Sequence, residues 1–211
     1  ETPYGRLVVE VPDLVPGITI AVQNPAAMLW LACAEAPAFA QLMRDRLAIH
    51  PPPWGLVLYA DGITPADALA KHDARKIQAI YYSYLEFGEA VLCTEEVWFV
   101  LAAVREKQLK RFDGYLTTLL SFLFDRFFFN EGGGTNFMTT GILLKFHGQE
   151  GAAPSKFTAR HRLTIADEPA LKDIAHCKGH AGLRCCLLCW NCALFRYYEP
   201  GFGDVPHTCL D

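Results

Sequence analysis

The sequence predicts an α/β fold in which helices flank a mixed β-sheet, with a cysteine-rich insertion at the C-terminal end. Three stretches rich in aromatic and branched residues, at 54–62, 77–87 and 97–104, are typical of consecutive β-strands. A long amphipathic helical pattern follows at 105–129. The chain then returns in a further apolar stretch that ends on an acidic residue, shortly before the cysteines. Because successive strands usually lie side by side, the first three predict an antiparallel meander.

The composition is that of a folded domain with a sizeable core. The chain has 211 residues, of which 52% are hydrophobic and 20% are charged, which excludes a disordered chain. Its net charge of −4 counts against a nucleic-acid partner, since such domains are usually basic. We expect an intracellular protein that is neither secreted nor membrane-spanning, because no signal peptide is visible and the most apolar run is short and interrupted by charges. The chain starts at Glu1 and stops just after the cysteines, and we expect it to be part of a longer protein.

The first 50 residues predict a segment of strands and helices that packs on the core. Residues 1–23 alternate loosely, which suits one or two short strands or an extended arm broken by prolines. Asn24 followed by Pro25 is a typical helix start, a capping residue and then proline in the first turn. The pair Ala36 and Pro37 predicts a break between two packing helices.

The predicted core domain spans residues 51–175. Its first strand, at 54–62, carries Asp61 near its end, and a carboxylate there is unfavourable unless it is paired or binds a metal. The alternative is that Asp61 only caps a turn. After the long helix at 105–129 we expect a glycine-rich break, a short strand at 142–146 and a strand from 156 that delivers Asp167.

The order of these elements is that of a ribonuclease-H-like fold, in which neighbouring strands bring carboxylates together. Two divalent cations about 3.5–4 Å apart can then be held by the same carboxylates. Magnesium prefers carboxylate and water ligands, so Asp61 and Asp167 are suitable and cysteine is not. Mn²⁺ would be an alternative ion.

The flanking sequences are more specific than the two aspartates alone. The chain reads LVLYADGITP at 56–65, YYSYLEFG at 81–88 and ADEPAL at 166–171, followed by Lys178-Gly179 and a Cys-x-x-Cys pair. These motifs resemble the Kyakuja–Dileera–Zisupton and Plavaka group of DNA transposases over roughly residues 50–192. The resemblance implies a ribonuclease-H-like Asp-Asp-Glu core with a cysteine-rich insertion after the second Asp. It further implies that Asp61 and Asp167 are the first two catalytic carboxylates, and that the third lies beyond Asp211.

The C-terminal segment 176–211 predicts a zinc site. Six of the eight cysteines lie between Cys177 and Cys209, which favours local metal binding over a disulfide scaffold. Cys186 and Cys189 have the spacing of a zinc knuckle. Either Cys177, which we favour, or His180 would be the third ligand, and either His207 or Cys209 the fourth, while Cys185 and Cys192 compete with them. The alternatives are a cysteine-rich helix packed as small hydrophobes or a Cys–His nucleophile.

Together these features predict part of the catalytic core of a DNA transposase whose parent enzyme performs Mg²⁺-dependent strand cleavage and transfer. The resemblance implies transposon-end DNA as partner, a nuclear location and a possible homo-oligomer. We expect this chain to be inactive alone because the third carboxylate is missing. The main alternative is a non-catalytic zinc-binding module that holds DNA or a protein. A weaker alternative is a zinc-stabilised protein-interaction domain unrelated to nucleic acid, which the acidic charge would suit.

Overall fold

The computed structural model describes residues 1–63, 76–130, 135–149, 151–166 and residue 171. Short 3₁₀ turns at Leu85–Phe87 and Glu95–Val97 and a π-helical turn at Phe124–Phe128 complete the regular structure in that part of the chain. In chain order the described strands and helices are β1 (Val8–Val15), β2 (Ile18–Gln23), α1 (Pro25–Glu35), α2 (Pro37–Ile49), β3 (Trp54–Ile63), β4 (Ile77–Tyr84), α3 (Glu89–Leu92), β5 (Phe99–Arg105), α4 (Glu106–Leu109), α5 (Tyr115–Leu123), β6 (Ile142–Leu144), β7 (Ser155–Phe157) and β8 (Ala159–Ala166).

Six strands form one mixed sheet in the order β1-β2-β5-β4-β3-β8. All neighbours are antiparallel except β3 and β8, which run parallel. Strands β6 and β7 form a separate antiparallel pair. The predicted α/β class, with a mixed sheet flanked by helices, is therefore confirmed, and so is the meander of β3, β4 and β5.

The local signals at the start of the chain correctly located α1 and α2. The Asn24 side chain caps α1 by accepting hydrogen bonds from the backbone N–H groups of Ala26 and Ala27, and Pro25 occupies the first turn. Helix α1 ends before Pro37, which begins α2. Strands β1 and β2 form a hairpin that extends the main sheet, although β2 meets β5 only where Val22 pairs with Ala102.

The core lies on one face of the main sheet. Alternate residues of β3, namely Leu56, Leu58 and Ala60, point into it and are almost fully buried. At the beginning of β3, Trp54 makes edge-to-face ring contacts with Tyr84, Phe87 and Phe157 at centroid distances of 5.9, 5.5 and 5.2 Å. The intervening residues of β3, among them Tyr59 and Asp61, belong to the opposite face, where the candidate site lies.

The predicted long helix at 105–129 was wrong as a single element. The chain forms the short α4, turns, and starts again as α5. Gly114 has a φ of +84° and Tyr115 a φ of +52°, both outside the right-handed helical region, so one continuous helix cannot pass through this point. The predicted strand at 142–146 exists as β6, but it pairs with β7 rather than joining the main sheet.

Candidate functional site

The two strands that precede the predicted catalytic aspartates lie side by side. In the parallel pair of β3 and β8 the last partners are Ala60 and Ala166. Asp61 directly follows Ala60, and β3 continues through it to Ile63, so Asp61 lies near the end of the strand rather than at its last residue. Asp167 follows Ala166 in the sequence and lies outside the described residues.

A bulge in β8 decides which of its residues share a face with Asp61. His161 pairs with Leu56 on the core side, but the register then shifts at Arg162, and Ile165 becomes the partner of Tyr59. Because side chains alternate along a strand, Ile165 would face the core without this extra residue. The bulge turns the C-terminal part of β8 towards the face of β3 that carries Tyr59 and Asp61.

A cavity of about 720 Å³ lies on that face of the sheet. Its floor comes from three strands of the main sheet, and its wall comes from α3 and the turn that leads into β5. The volume is within the range of about 300–1,000 Å³ that is usual for small-molecule sites. The described residues that line it are Tyr59, Asp61, Tyr81, Leu92, Cys93, Thr94, Glu95, Trp98 and Ile165.

Asp61 is half-buried and lines this cavity. Its Oδ2 atom accepts a hydrogen bond of 3.0 Å from the hydroxyl group of Tyr59, two residues earlier on the same face of β3. The Tyr59 ring in turn stacks on Tyr81 of β4, with 5.9 Å between centroids and 27° between planes. Trp98 meets Tyr59 edge-on at 6.1 Å. The carboxylate is therefore positioned by a side chain that aromatic contacts hold in place.

The wall of the cavity is held by hydrogen bonds to backbone carbonyls. Trp98 Nε1 donates to the carbonyl of Leu92 at 2.9 Å, and Thr94 Oγ1 donates to the carbonyl of Val91 at 2.8 Å. Below them the fully buried Ser83 donates to the carbonyl of Val97 at 2.9 Å. The first two bonds close the segment from α3 to β5 on itself, and the bond from Ser83 of β4 fixes that segment to the sheet.

The sequence did not identify the aromatic and polar lining of this cavity. The predicted strands include Tyr59, Tyr81 and Trp98 on composition alone, and Cys93 and Glu95 lie between two of those strands. The signal available in the sequence was the alternation of side chains along a strand, which puts Tyr59 on the same face as Asp61. The cross-strand register that adds Tyr81 and Ile165 follows only from the folded sheet.

Glu106, at the beginning of α4, is a second polar centre that sequence reasoning missed. Its carboxylate accepts hydrogen bonds from Tyr115 and from Gln78, and Lys110 lies 3.3 Å from Oε1. Burial raises the pKa of Glu106, but these hydrogen bonds and the positive charge of Lys110 outweigh it and hold the pKa below its ordinary value. Gln78 neighbours Ala79, the partner of Asp61, so its side chain points to the opposite face of the sheet. Glu106 is thus separated from the cavity by the sheet.

The predicted zinc ligands Cys177, Cys186, Cys189, His207 and Cys209 all lie outside the described residues. Within the described part of the chain, no group of three or more His, Cys, Asp or Glu side chains is arranged to hold a metal ion. The two described cysteines differ from each other. Cys33 is buried, which raises the pKa of its thiol to about 12, whereas Cys93 is exposed at the cavity.

Among the described helices, no single one is long and apolar enough to cross a membrane; α1 and α2 meet the length and composition criteria only as a pair, and that pair is bent by 105°. No protein-family model, curated protein or solved structure matches this chain.

Proposed function

We propose that this chain is part of the catalytic core of a DNA transposase with a ribonuclease-H-like fold. The observation that carries the proposal is the parallel pairing of β3 with β8, which ends at Ala60 and Ala166. Each of these residues directly precedes one of the two predicted catalytic aspartates, Asp61 and Asp167. Parallel neighbours end at the same edge of a sheet, so we expect the two carboxylates within about 10 Å of each other, close enough to share metal ions.

The topology of the main sheet supports the ribonuclease-H-like assignment. Strands β3, β4 and β5 form an antiparallel meander, helices follow, and β8 returns parallel to β3 on the side away from β4. The sequence predicted the meander and the order of the elements, whereas the parallel pairing of β8 with β3 is an observation of the folded sheet that supports the assignment. The hairpin of β1 and β2 is an addition at the far edge of that arrangement.

The bulge in β8 determines which side chains of this strand face the cavity. Ile165 lines the cavity beside Asp61 because the register shifts at Arg162. Side chains alternate along a strand, so we expect Asp167, two residues further, to belong to the same face as Ile165. Without the shift, the same alternation would direct it towards the core.

The two predicted aspartates are of a residue type that suits Mg²⁺ or Mn²⁺. Asp61 is a half-buried carboxylate that lines the cavity, and carboxylates and waters are the ligands that Mg²⁺ prefers. Bound divalent ions would supply activation of the attacking oxygen and stabilisation of the leaving oxygen. Asp61, Asp167 and the third carboxylate that the resemblance implies would hold them. Tyr59 orients the Asp61 carboxylate through its hydrogen bond to Oδ2.

We also propose that segment 176–211 binds one zinc ion through Cys186 and Cys189, with Cys177 as third ligand and His207 or Cys209 as fourth. The spacing of these residues in the sequence supports this. Such a site would stabilise the segment after β8 without taking part in the chemistry of the carboxylates. Transposon-end DNA is the partner that the parent enzyme would bind.

The test is a titration with Mn²⁺ followed by electron paramagnetic resonance. We expect a weak site in the wild-type chain, and an affinity lower by about tenfold or more in Asp61→Asn and in Asp167→Asn, because loss of even an outer-shell group costs that much. Asp45→Asn is the matched control, since Asp45 is an exposed aspartate on α2. If either the Asp61 or the Asp167 variant binds Mn²⁺ as the wild type does, the two aspartates do not share a metal.

A further inference from the structure

We propose that the cavity lined by Trp98, Tyr81 and Glu95 binds an organic cation, namely a trimethylammonium group. This site goes beyond the proposed function, since it requires neither a metal ion nor DNA. Its basis is the acidic charge of the described lining, the accessible aromatic rings and the turn that places a carboxylate beside one of those rings.

The charge of the lining favours a cation. Asp61 and Glu95 both line the cavity, and no lysine or arginine lines it among the residues that the structure describes. The ion pair found in that part of the chain joins Lys110 to Glu106, behind the sheet, so it neutralises neither of these two carboxylates. A cleft whose charges all have one sign attracts ligands of the opposite sign.

Asp61 and Glu95 do not by themselves form a metal site. Mg²⁺ requires a compact octahedron of oxygen ligands, and no group of three or more His, Cys, Asp or Glu side chains among the described residues is arranged to hold an ion. A trimethylammonium group has no N–H donor and no fixed coordination geometry. Aromatic ring faces can bind it, and carboxylates that do not touch it still attract it.

The rings that such a cation requires are accessible. Tyr59, Tyr81 and Trp98 are partly exposed and line the cavity. Their neighbours Tyr82 and Tyr84 are fully buried. Tyr81 stacks on Tyr59, whereas Trp98 stands at 65° to Tyr59 with 6.1 Å between centroids, so the three rings form a corner rather than one flat stack. A cation within about 6 Å of a ring centroid is attracted to its π-face, most strongly to that of tryptophan.

The backbone brings Glu95 and Trp98 to the same side of one turn. The 3₁₀ turn Glu95–Val97 is followed by a hydrogen bond of 3.2 Å from the backbone N–H group of Trp98 to the carbonyl of Glu95. Side chains three residues apart eclipse each other in a 3₁₀ turn, and both of these line the cavity. The indole is also fixed by its bond to the carbonyl of Leu92. A carboxylate is thus placed beside the ring that binds cations best.

The size of the cavity admits the group together with the chain that carries it. Its volume of about 720 Å³ is usual for small-molecule sites, and it opens to solvent where Cys93, Thr94 and Glu95 are exposed. A trimethylammonium group occurs at the end of a small molecule such as choline and at the end of a trimethylated lysine in a peptide. Both sources present the same chemistry to the cavity.

The decisive measurement compares choline with 3,3-dimethylbutan-1-ol, which has the same shape but carbon in place of the charged nitrogen. Both are titrated into the wild-type chain and followed through their methyl proton signals by NMR. EDTA is present because a divalent ion near Asp61 would repel the cation. Choline should bind about tenfold more tightly than the neutral analogue. Equal affinities, or no binding of choline, would overturn the site.

A second comparison distinguishes the two sources of the cation. Two short glycine–serine peptides, one with a central trimethyllysine and one with unmodified lysine, are titrated in the same way. Tighter binding of the trimethyllysine peptide than of choline would assign the site to a modified lysine. Binding of choline without binding of this peptide would assign it to a small molecule.

Variants of the aromatic ring test its role. Trp98→Leu should weaken choline binding by about 2- to 30-fold, the range for loss of one cation–π contact. Trp98→Phe keeps a ring and should lose less. Trp30→Leu is the matched control, because Trp30 is another partly buried tryptophan but does not line the cavity.

Variants of the acidic residue test the charge. Glu95→Gln should weaken choline binding by about two- to fivefold, as for an exposed ion pair. Glu96→Gln is the matched control, because Glu96 is the next residue and is equally exposed but does not line the cavity. Its affinity for choline should equal that of the wild type.

The outcomes separate this site from the proposed function. Choline binding that is unchanged in both Trp98→Leu and Glu95→Gln would overturn the cation site and leave the Mn²⁺ titration of Asp61→Asn unaffected. Failure of the Mn²⁺ titration would leave the cation site standing, since choline is measured without metal. The comparison of the two ligands on the wild-type chain decides the matter even if Trp98→Leu fails to fold.

Discussion

Tyr115 donates a hydrogen bond from its hydroxyl group to Oε2 of Glu106, across the turn that separates α4 from α5. The same oxygen accepts a hydrogen bond of 3.2 Å from Gln78 in β4. The Glu106 backbone N–H group donates to the carbonyl of Lys76 at 2.9 Å. Glu106 thus links β4 and the end of β5 to α4 and α5, beside the turn that separates these two helices.

Replacing Glu106 with Gln should destabilise the fold. The variant loses the charge that strengthens the bonds from Tyr115, Gln78 and Lys110, and we expect the free energy of unfolding at pH 7 to fall by about 1–3 kcal/mol. Since folding lowers the pKa of Glu106, its ionised form stabilises the protein above the unfolded-state pKa, and this contribution is lost as the pH falls through the folded-state pKa. The difference from wild type should therefore shrink below about pH 4.

Urea denaturation between pH 3 and pH 7 measures this difference. Glu10→Gln provides the control, because Glu10 is exposed on β1 and its replacement should leave the unfolding free energy within about 0.5 kcal/mol. If the loss of unfolding free energy in Glu106→Gln stayed constant down to pH 3, the charge of Glu106 would not stabilise the fold.

Two neighbouring tyrosines of β4 provide a matched pair of core substitutions. The buried hydroxyl of Tyr82 donates to the carbonyl of Pro25 at 3.3 Å, whereas the equally buried hydroxyl of Tyr84 has no hydrogen-bond partner within the described structure. Tyr82→Phe should lower the free energy of unfolding by about 0.5–1.5 kcal/mol. Tyr84→Phe removes an unpaired polar group and should leave stability equal or raise it by up to about 1 kcal/mol. If urea denaturation showed that Tyr84→Phe lowers the free energy of unfolding more than Tyr82→Phe does, this prediction would be wrong.

The sequence predicted best where the physical cause was local. The cap at Asn24 and the break at Pro37 depend on residues next to each other, and both are found where the sequence placed them. The interruption at Gly114 was missed because apolar residues continue at helical spacing on both sides of it. A glycine within such a pattern is tolerated in many helices, so the pattern alone does not show that the chain turns there.

The candidate site was only partly predictable for a different reason. Asp61 stands out in the sequence because a carboxylate follows a buried apolar run. The rest of the cavity depends on which residues pair across strands, such as Tyr59 with Tyr81 and with Ile165. A one-residue bulge at Arg162 changes that pairing, and nothing in a single sequence indicates where such a bulge falls.

The zinc prediction concerns the segment after β8. Protein purified under reducing conditions should carry about one equivalent of Zn²⁺, and a chelator should lower its thermal stability, because metal binding of this kind favours the folded state. Cys186→Ser should lose the zinc and the associated stability. Cys93→Ser is the control, since Cys93 is exposed at the cavity and is far from the knuckle in the sequence. Elemental analysis that finds no zinc, or a Cys186→Ser variant of unchanged stability, would contradict the site.

The last prediction is that this chain alone neither cleaves nor joins DNA. Two-metal chemistry requires enough carboxylates to hold both ions, and the proposed site has only Asp61 and Asp167. No cluster of three potential ligands occurs among the described residues, and the net charge of −4 gives little non-specific attraction to DNA phosphates. We therefore expect no nicking of supercoiled plasmid in Mg²⁺ or Mn²⁺, although we expect weak Mn²⁺ binding through Asp61.

A gel assay of plasmid nicking, with Asp61→Asn as the matched inactive variant, checks this. Nicking that survives in Asp61→Asn would be due to a contaminating nuclease and would leave the prediction intact. Robust Mg²⁺-dependent nicking that Asp61→Asn abolishes would contradict it, because a third metal ligand would then have to lie within these 211 residues. Glu95 is the first candidate for that ligand, since it is the other carboxylate among the described residues that line the cavity. Glu95→Gln would then abolish nicking as well. Glu106→Gln would not, because the sheet separates Glu106 from the cavity.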